Sequence, residues 1–220
     1  MTKNERNFNA LTISEFKTLI KSNVTVLDSR LATTFTQAFI PTSIYIGLQG
    51  KFVEWAKTLL DVEKEIIIVA EIGKELETIT LLNNVGFNNI VGFLEGGFET
   101  WQTAGEKIDM IIDVEPDELM MDLPHDPNIT VLDVRKEKEY ADGHLKNSAN
   151  LPLSCMTDIT LLAQFEENEN IYVHCAGGYR SVIAASILKK EGIHNLRNVL
   201  GGWEKIKEQE AVEIEKDTTT

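Results

Sequence analysis

The strongest constraint on this chain is that its sequence occurs twice. Val24-Thr25-Val26-Leu27-Asp28-Ser29-Arg30 returns 105 positions later as Ile129-Thr130-Val131-Leu132-Asp133-Val134-Arg135. At the same spacing Ile66-Ile67-Ile68-Val69 returns as Ile171-Tyr172-Val173-His174, and Leu94-Glu95-Gly96-Gly97-Phe98 as Val199-Leu200-Gly201-Gly202-Trp203. A fixed period of this length means one folded unit built twice, so the 220 residues hold two small domains. The junction falls within Thr103 to Asp113, ahead of a helix start at Glu115-Pro116-Asp117 with proline at its first position. This predicts a first domain over 1–105, a second over 106–209 and a flexible charged tail over 210–220.

Each copy alternates short apolar runs with helical patterns, the signature of an α/β fold: a parallel sheet with helices on both faces. In the second copy strands are predicted near Thr130–Val134, Ser148–Leu151, Ile171–His174 and Leu196–Val199. Helices are predicted near Lys136–Asp142, Asp158–Glu166, Ser181–Glu191 and Gly202–Glu208, with Gly143 and Gly192 at helix ends. Ligands of such sheets bind at the carboxyl ends of strands. Cys175 stands at one of those ends.

The stretch Ile171 to Ser181 reads I-Y-V-H-C-A-G-G-Y-R-S. Backbone N–H groups of a glycine-containing turn at a helix N-terminus stabilise negative charge, so the segment is suited to holding Cys175 as a thiolate nucleophile. Gly177 and Gly178 are expected to supply positive φ or close backbone approach. Only Ala176, Gly177, Gly178 and Tyr179 separate Cys175 from Arg180, a C-x4-R spacing. With V-L-D-V-R ahead of it and L-G-G-W behind it, this loop resembles that of the rhodanese family, sulfurtransferases that carry a persulfide on cysteine. Related phosphatases have a C-x5-R loop, one residue longer, to admit phosphate. The resemblance implies Cys175 as the catalytic residue and Ala176, Gly177, Gly178, Tyr179, Arg180 and Ser181 as the substrate cradle. It also brings Arg135 near the pocket, with Asp133 in support.

Several side chains have more than one reading. Asp133, at the end of a neighbouring strand, is the expected partner of Arg180, while Arg135 either lines the pocket or pairs with Glu139 at i,i+4. His174 neighbours Cys175 on a strand and therefore points to the other face, as a core histidine. His144 reads as a cap or packing residue. Cys155 is either a second acceptor thiol or a half-buried small apolar residue, and a disulfide between the two cysteines disagrees with a reducing compartment.

The first copy keeps the scaffold and loses the nucleophile. Ala70 stands where Cys175 would, and the acidic loop A-E-I-G-K-E-L that it opens is expected to be shortened, one residue short somewhere before Gly86. Glu71 and Glu75 oppose anions there. This half is expected to be a structural cover or a regulatory or docking domain. A cysteine-less copy followed by a C-A-G-G-Y-R copy is similar to the rhodanese part of metallo-β-lactamase-fold persulfide dioxygenase fusions, which implies a persulfide dioxygenase as partner.

Composition excludes some partners. The net charge is −14, with −3 in residues 1–105 and −11 in 106–220. Such a surface repels nucleic acid and anionic membranes. The polar start M-T-K-N-E-R-N and the lack of a long apolar run predict a cytoplasmic protein with no leader or membrane span. No spacing suggests a metal site, and the chemistry needs no metal or organic cofactor. The expected partners are a small sulfur donor, thiosulfate-like or a low-molecular-weight persulfide, and a thiol or cyanide acceptor. In two-domain thiosulfate sulfurtransferases the residue after the cysteine is typically basic; here Ala176 and Gly177 stand there, which favours a persulfide. The alternatives are a non-catalytic sulfide-sensing or docking module, and a phosphatase or arsenate reductase.

Overall fold

The computed structural model describes residues 9–165, 169–210 and 212–217. The chain divides into two compact units at Asp109–Met110, with residues 36–38 counted in the second. The first contains strands β1 (Asn9–Leu11), β2 (Thr25–Asp28), β3 (Ile44–Tyr45), β4 (Ile66–Val69) and β5 (Ile90–Leu94). Helices α1 (Ile13–Lys21), α2 (Ala32–Gln37), α3 (Phe52–Leu59), α4 (Glu75–Asn83) and α5 (Gly97–Thr103) alternate with them. In the second unit the strands are β6 (Ile112–Val114), β7 (Ile129–Asp133), β8 (His144–Leu145), β9 (Ala149–Asn150), β10 (Asn170–His174), β11 (Leu196–Val199) and β12 (Ile214–Glu215). Its helices are α6 (Pro116–Asp122), α7 (Glu137–Ala141), α8 (Ile159–Leu162), α9 (Tyr179–Lys190) and α10 (Gly202–Ile206).

The repeat in sequence is a repeat in topology. The first sheet runs β1-β5-β4-β2-β3 and the second β6-β11-β10-β7-β9, with all pairs parallel. β4 and β10 occupy the same central place. Ile66, Ile67, Ile68 and Val69 are at most 1% exposed, and Ile171 to His174 are buried throughout, which requires cover on both faces of the sheet. Each isoleucine or valine among them contributes roughly 1.5–3 kcal/mol through burial. α9 is buried from Ser181 to Leu188, which makes it the central helix of its unit and a rigid base for the loop that precedes it.

The division falls inside the expected junction Thr103 to Asp113, four residues past the 105/106 bound, because residues 106–109 are bonded into the first unit. Phe39 and Asp109 exchange two backbone hydrogen bonds of 2.9 Å, Lys17 pairs with Glu106, and the Trp101 indole donates to the Lys107 carbonyl oxygen. Part of the expected junction is itself an edge strand, since Ile112–Val114 pairs with Arg197–Val199. α6 starts as its sequence predicts, with Pro116 in its first turn and Glu115 and Glu118 forming a capping box. α8 stops at Leu162, short of the span Asp158–Glu166, whose last residue lies outside the described residues.

The expected flexible tail contains an ordered pairing. β12 runs antiparallel to β8, supported by the Lys146–Glu213 ion pair and by Lys146 N–H donating to the Glu213 carbonyl oxygen at 2.9 Å. Two unpaired edges satisfy each other's backbone groups there. Residues 211 and 218–220 of that tail, and the polar start at 1–8, lie outside the described residues. Among the described residues no helix is long and apolar enough to cross a membrane.

Candidate active site

Cys175 follows directly on central β10, flanked by β7 and β11, so its side chain emerges at the carboxyl end of the sheet. It is 1% exposed. The Gly178 N–H donates to Cys175 Sγ at 3.2 Å, and the thiol donates to the Ser181 hydroxyl over 3.7 Å. That hydroxyl in turn donates to the Gly178 carbonyl oxygen at 2.9 Å. The chain therefore folds back on the sulfur within one turn. Gly178 makes this possible with φ +104°, a conformation L-residues rarely adopt. Gly177 does not share that role: its φ is not positive, and a Cβ there would meet open space.

The loop is held from behind by α10. Trp203 N–H donates to the Cys175 carbonyl oxygen at 2.6 Å and Glu204 N–H to that of Ala176 at 3.0 Å. In a trans peptide the C=O and the following N–H point opposite ways. Fixing these two carbonyls toward α10 thus turns the Ala176 and Gly177 N–H groups away from it. Gly202 allows the approach, because a Cβ on it would lie 2.3 Å from the Cys175 oxygen. Gly202 and Trp203 were not singled out as site residues from sequence. The available signal was that both copies carry Gly-Gly-aromatic, and in the first copy a Cβ on Gly97 would likewise sit 3.1 Å from the Ala70 oxygen.

The charged pairs are exchanged relative to expectation. Arg180 pairs with Glu139 instead of Asp133, through two bonds of 2.8 Å from Nη1 and Nη2. Arg135 pairs with Asp133 instead of Glu139: Nε donates to Oδ2 at 2.8 Å, Nη2 to Oδ2 at 2.6 Å, and its own backbone N–H to Oδ1 at 2.9 Å. The reason is proximity, since an arginine two residues after a strand-end aspartate reaches its carboxylate within the same turn of chain, while Glu139 meets Arg180 across 41 residues. The Arg135 guanidinium also lies 4.8 Å from the Trp203 ring centroid and donates to the Gly143 carbonyl oxygen. The first copy repeats the arrangement with Arg30, Asp28 and Phe98. A pair present in both copies, one of them without a cysteine, belongs to the scaffold.

The Arg180 guanidinium holds the Glu139 carboxyl well below the usual range, at about 2, against the opposing effect of partial burial. Its folded value is depressed, so the pair's contribution is present above the unfolded value near 4.5 and is lost as pH falls through about 2. An NMR titration of the Glu139 carboxyl should therefore show a midpoint far below 4. A midpoint at or above 4 would contradict this pairing.

His174 is fully buried, and burial pushes its imidazole below the usual range, which keeps it neutral at pH 7. Its Nε2 lies 3.8 Å from Asp133 Oδ2, and its ring faces Trp203 at 6.4 Å. His144 stacks on Tyr140 at 3.7 Å and bonds that residue's carbonyl oxygen through Nδ1. Both cysteines are free thiols, and Cys155 is half-buried at the end of a 3-10 turn, Leu153–Cys155, that packs against α9. Among the described residues no group of three or more His, Cys, Asp or Glu side chains is placed to hold a metal ion.

The corresponding corner of the first unit is closed by its own acid. Glu71 Oε1 accepts the Leu31 N–H at 3.2 Å, beside a cavity of about 170 Å³ lined in part by Ser29, Gln49, Glu71, Lys74 and Glu77. Glu77, paired with Lys74 at 2.7 Å, stands at the cavity where Glu75 was expected. The missing residue is not in the loop either. α4 begins at Glu75, so residues 71–74 form a loop longer than 176–178, while α4 has 9 residues against 12 in α9. The glycine with positive φ, Gly73, is one step removed from the helix start, whereas Gly178 adjoins it.

The family model described as rhodanese-like domain matches residues 12–104 and 115–209. A Bacillus subtilis protein provisionally named as a sulfur carrier is 29% identical over 100 residues, 45% of this chain and 52% of its own. A mitochondrial protein of Schizosaccharomyces pombe provisionally named as a thiosulfate sulfurtransferase is 30% identical over 89 residues, 36% of this chain and 63% of its own. The chain thus spans less than two thirds of the length of these relatives. Among solved structures, a rhodanese-like domain protein of Staphylococcus aureus covers 48% of this chain and 100% of its own at 30% identity, with a TM-score of 0.42. The thiosulfate sulfurtransferase of Pseudomonas aeruginosa covers 96% of this chain and 44% of its own at 19% identity, with a TM-score of 0.41.

Proposed function

Because the chain belongs to the rhodanese-like domain family in both halves, we propose that its second unit is a sulfurtransferase with Cys175 as the sulfur-carrying nucleophile. One observation carries the reading: a buried cysteine sulfur at the end of the central parallel strand receives the amide at the start of α9, at 3.2 Å from Gly178 N. Amides and a helix N-terminus there stabilise a thiolate, and equally the terminal sulfur of a persulfide.

The reaction is a double displacement. Cys175 thiolate attacks the outer sulfur of a donor R–S–SH, the donor S–S bond breaks, and R–S⁻ leaves with the bonding pair; with thiosulfate the leaving group is sulfite. Cys175–S–SH then loses its outer sulfur to cyanide or a thiolate, which regenerates the thiolate without any external oxidant. Residues Ala176 to Ser181 form the cradle, and Asp133 with Arg135 braces the wall behind it. With Ala176 and Gly177 next to the cysteine, a low-molecular-weight persulfide is the favoured donor. The proposed setting is the cytoplasm, where thiols stay reduced. A persulfide dioxygenase as partner rests on the order of the two copies alone.

A carrier without turnover is a second reading, favoured by the likeness to the provisionally named sulfur carrier. Mass spectrometry after exposure to a persulfide donor should find one added sulfur on Cys175, and a catalyst should then release it repeatedly to cyanide or thiol. Stoichiometric loading with no second turnover would favour the carrier.

The first unit is proposed to be non-catalytic. Introducing Ala70→Cys into a Cys175→Ser background should give no sulfur transfer, because the Glu71 carboxylate occupies an amide of that corner. Activity near the native rate in that double variant would show a competent first site.

A further inference from the structure

The pairing of Arg180 raises a question of specificity. Arg180 is the one basic residue between Cys175 and Ser181. Both of its terminal nitrogens are engaged by Glu139, at 2.8 Å each. The second guanidinium at this corner, Arg135, is 3% exposed and bound to Asp133. The acidic residue of α10 nearest the loop in sequence, Glu204, is paired with Lys207. The side-chain charges named here are therefore paired, and the group that lies on the sulfur itself is a backbone amide, the Gly178 N–H at 3.2 Å. A cradle of that kind suits a sulfur bearing one negative charge or none. It gives little return for a second negative charge, which must also approach a chain of net charge −14.

We infer that Glu139 is a positioning and specificity-determining residue: by neutralising Arg180 it makes the Cys175 loop select persulfide donors over dianionic thiosulfate. The inference rests on the sulfurtransferase reading and extends it to the donor class. Glu139 touches no reacting atom. It acts through the guanidinium it holds, so it discriminates between donors instead of setting the reactivity of the sulfur. Arg180 has a second tie to the site, since its charged form is favoured first by Glu139 and also by the proximity of Cys175.

The test compares kcat/KM for thiosulfate and for the persulfide of 2-mercaptoethanol, whose tail is uncharged, in the full-length native protein and in Glu139→Gln. The isosteric amide keeps the shape of the contact and removes the charge, leaving Arg180 uncompensated. The thiosulfate-to-persulfide ratio should rise about tenfold, the scale of exposing one extra charge to a partly solvated unit charge. A merely structural loss would lower both constants together and leave the ratio unchanged, which would overturn the inference.

Salt dependence of the native protein supplies an arm that needs no variant. With Arg180 neutralised, added salt screens the repulsion from the acidic surface and should raise kcat/KM for thiosulfate relative to the persulfide. A steep fall with salt would mean an uncompensated cation attracts the dianion, and the inference would fail. If neither donor yields Cys175-dependent transfer in the native protein, the sulfurtransferase reading itself fails, an outcome separate from an unchanged ratio.

Discussion

Cys175→Ser is expected to lower sulfur transfer by at least about a thousandfold, the scale seen when a covalent nucleophile is removed, with the fold preserved. The side chain is 1% exposed and sits between the Gly178 N–H and the Ser181 hydroxyl, both of which a serine oxygen can engage. The substitution is close to isosteric, and the buried position gains no unsatisfied polar group. What serine lacks is the ability to hold a sulfane sulfur between two displacements. Cys155→Ser is the control, since that thiol is half-buried on a 3-10 turn, and most activity should remain. Turnover of a persulfide donor to thiocyanate, with thermal unfolding measured alongside, decides the matter. A Cys175→Ser protein that still turns over would remove Cys175 from the mechanism.

The loss should also exceed anything achieved by removing Arg180. The 3.2 Å amide contact lies on the sulfur itself, whereas the guanidinium charge is largely answered by Glu139. Loss of one charge-assisted hydrogen bond is worth about 1–3 kcal/mol, or roughly five- to 150-fold. Loss of the nucleophile leaves no covalent route.

Much of the scaffold was legible because the central strands of a parallel sheet are unbroken apolar runs. Ile66 to Val69 and Ile171 to Val173 could be placed by composition alone, and the period of the repeat carried each assignment to the other copy. The edge strands Asn9–Leu11 and Ile112–Val114 have three residues each, too few to show any period. Glu139 and Arg180 are 41 residues apart, and their pairing depends on where α7 rests after the chain has closed. The Asp133–Arg135 pair, by contrast, spans two residues and recurs in the copy that lacks the cysteine. That recurrence marked it as scaffold, and the signal was present in the sequence. Assigning the missing residue to the loop was wrong, because a one-residue difference over the span before Gly86 fits a change in either the loop or the helix. In the structure the loop is longer and the helix shorter.

Gly202→Ala should produce the second large effect, in a residue that touches no substrate. The glycine has φ +56°, and a Cβ on it would lie 2.3 Å from the Cys175 oxygen and 3.0 Å from the Ala176 carbonyl carbon and oxygen. These are backbone atoms, so no side chain can swing aside, and the loop or α10 must move. The left-handed conformation alone costs alanine about 1–2 kcal/mol. With the displaced Trp203 and Glu204 amide bonds the total should reach about 2–4 kcal/mol, within the range for strain combined with broken buried hydrogen bonds. Transfer should fall about a hundredfold, as expected when a reacting group shifts by about 1 Å. Gly97→Ala in the first unit provides the comparison, since it has φ +64° and a Cβ 3.1 Å from the Ala70 oxygen. It should lose stability while kcat/KM stays near native, because no nucleophile stands in front of it. If Gly202→Ala kept native kcat/KM despite a lowered Tm, the grip of α10 on the Cys175 and Ala176 carbonyls would be structural only, and the orientation of the loop amides would need another cause.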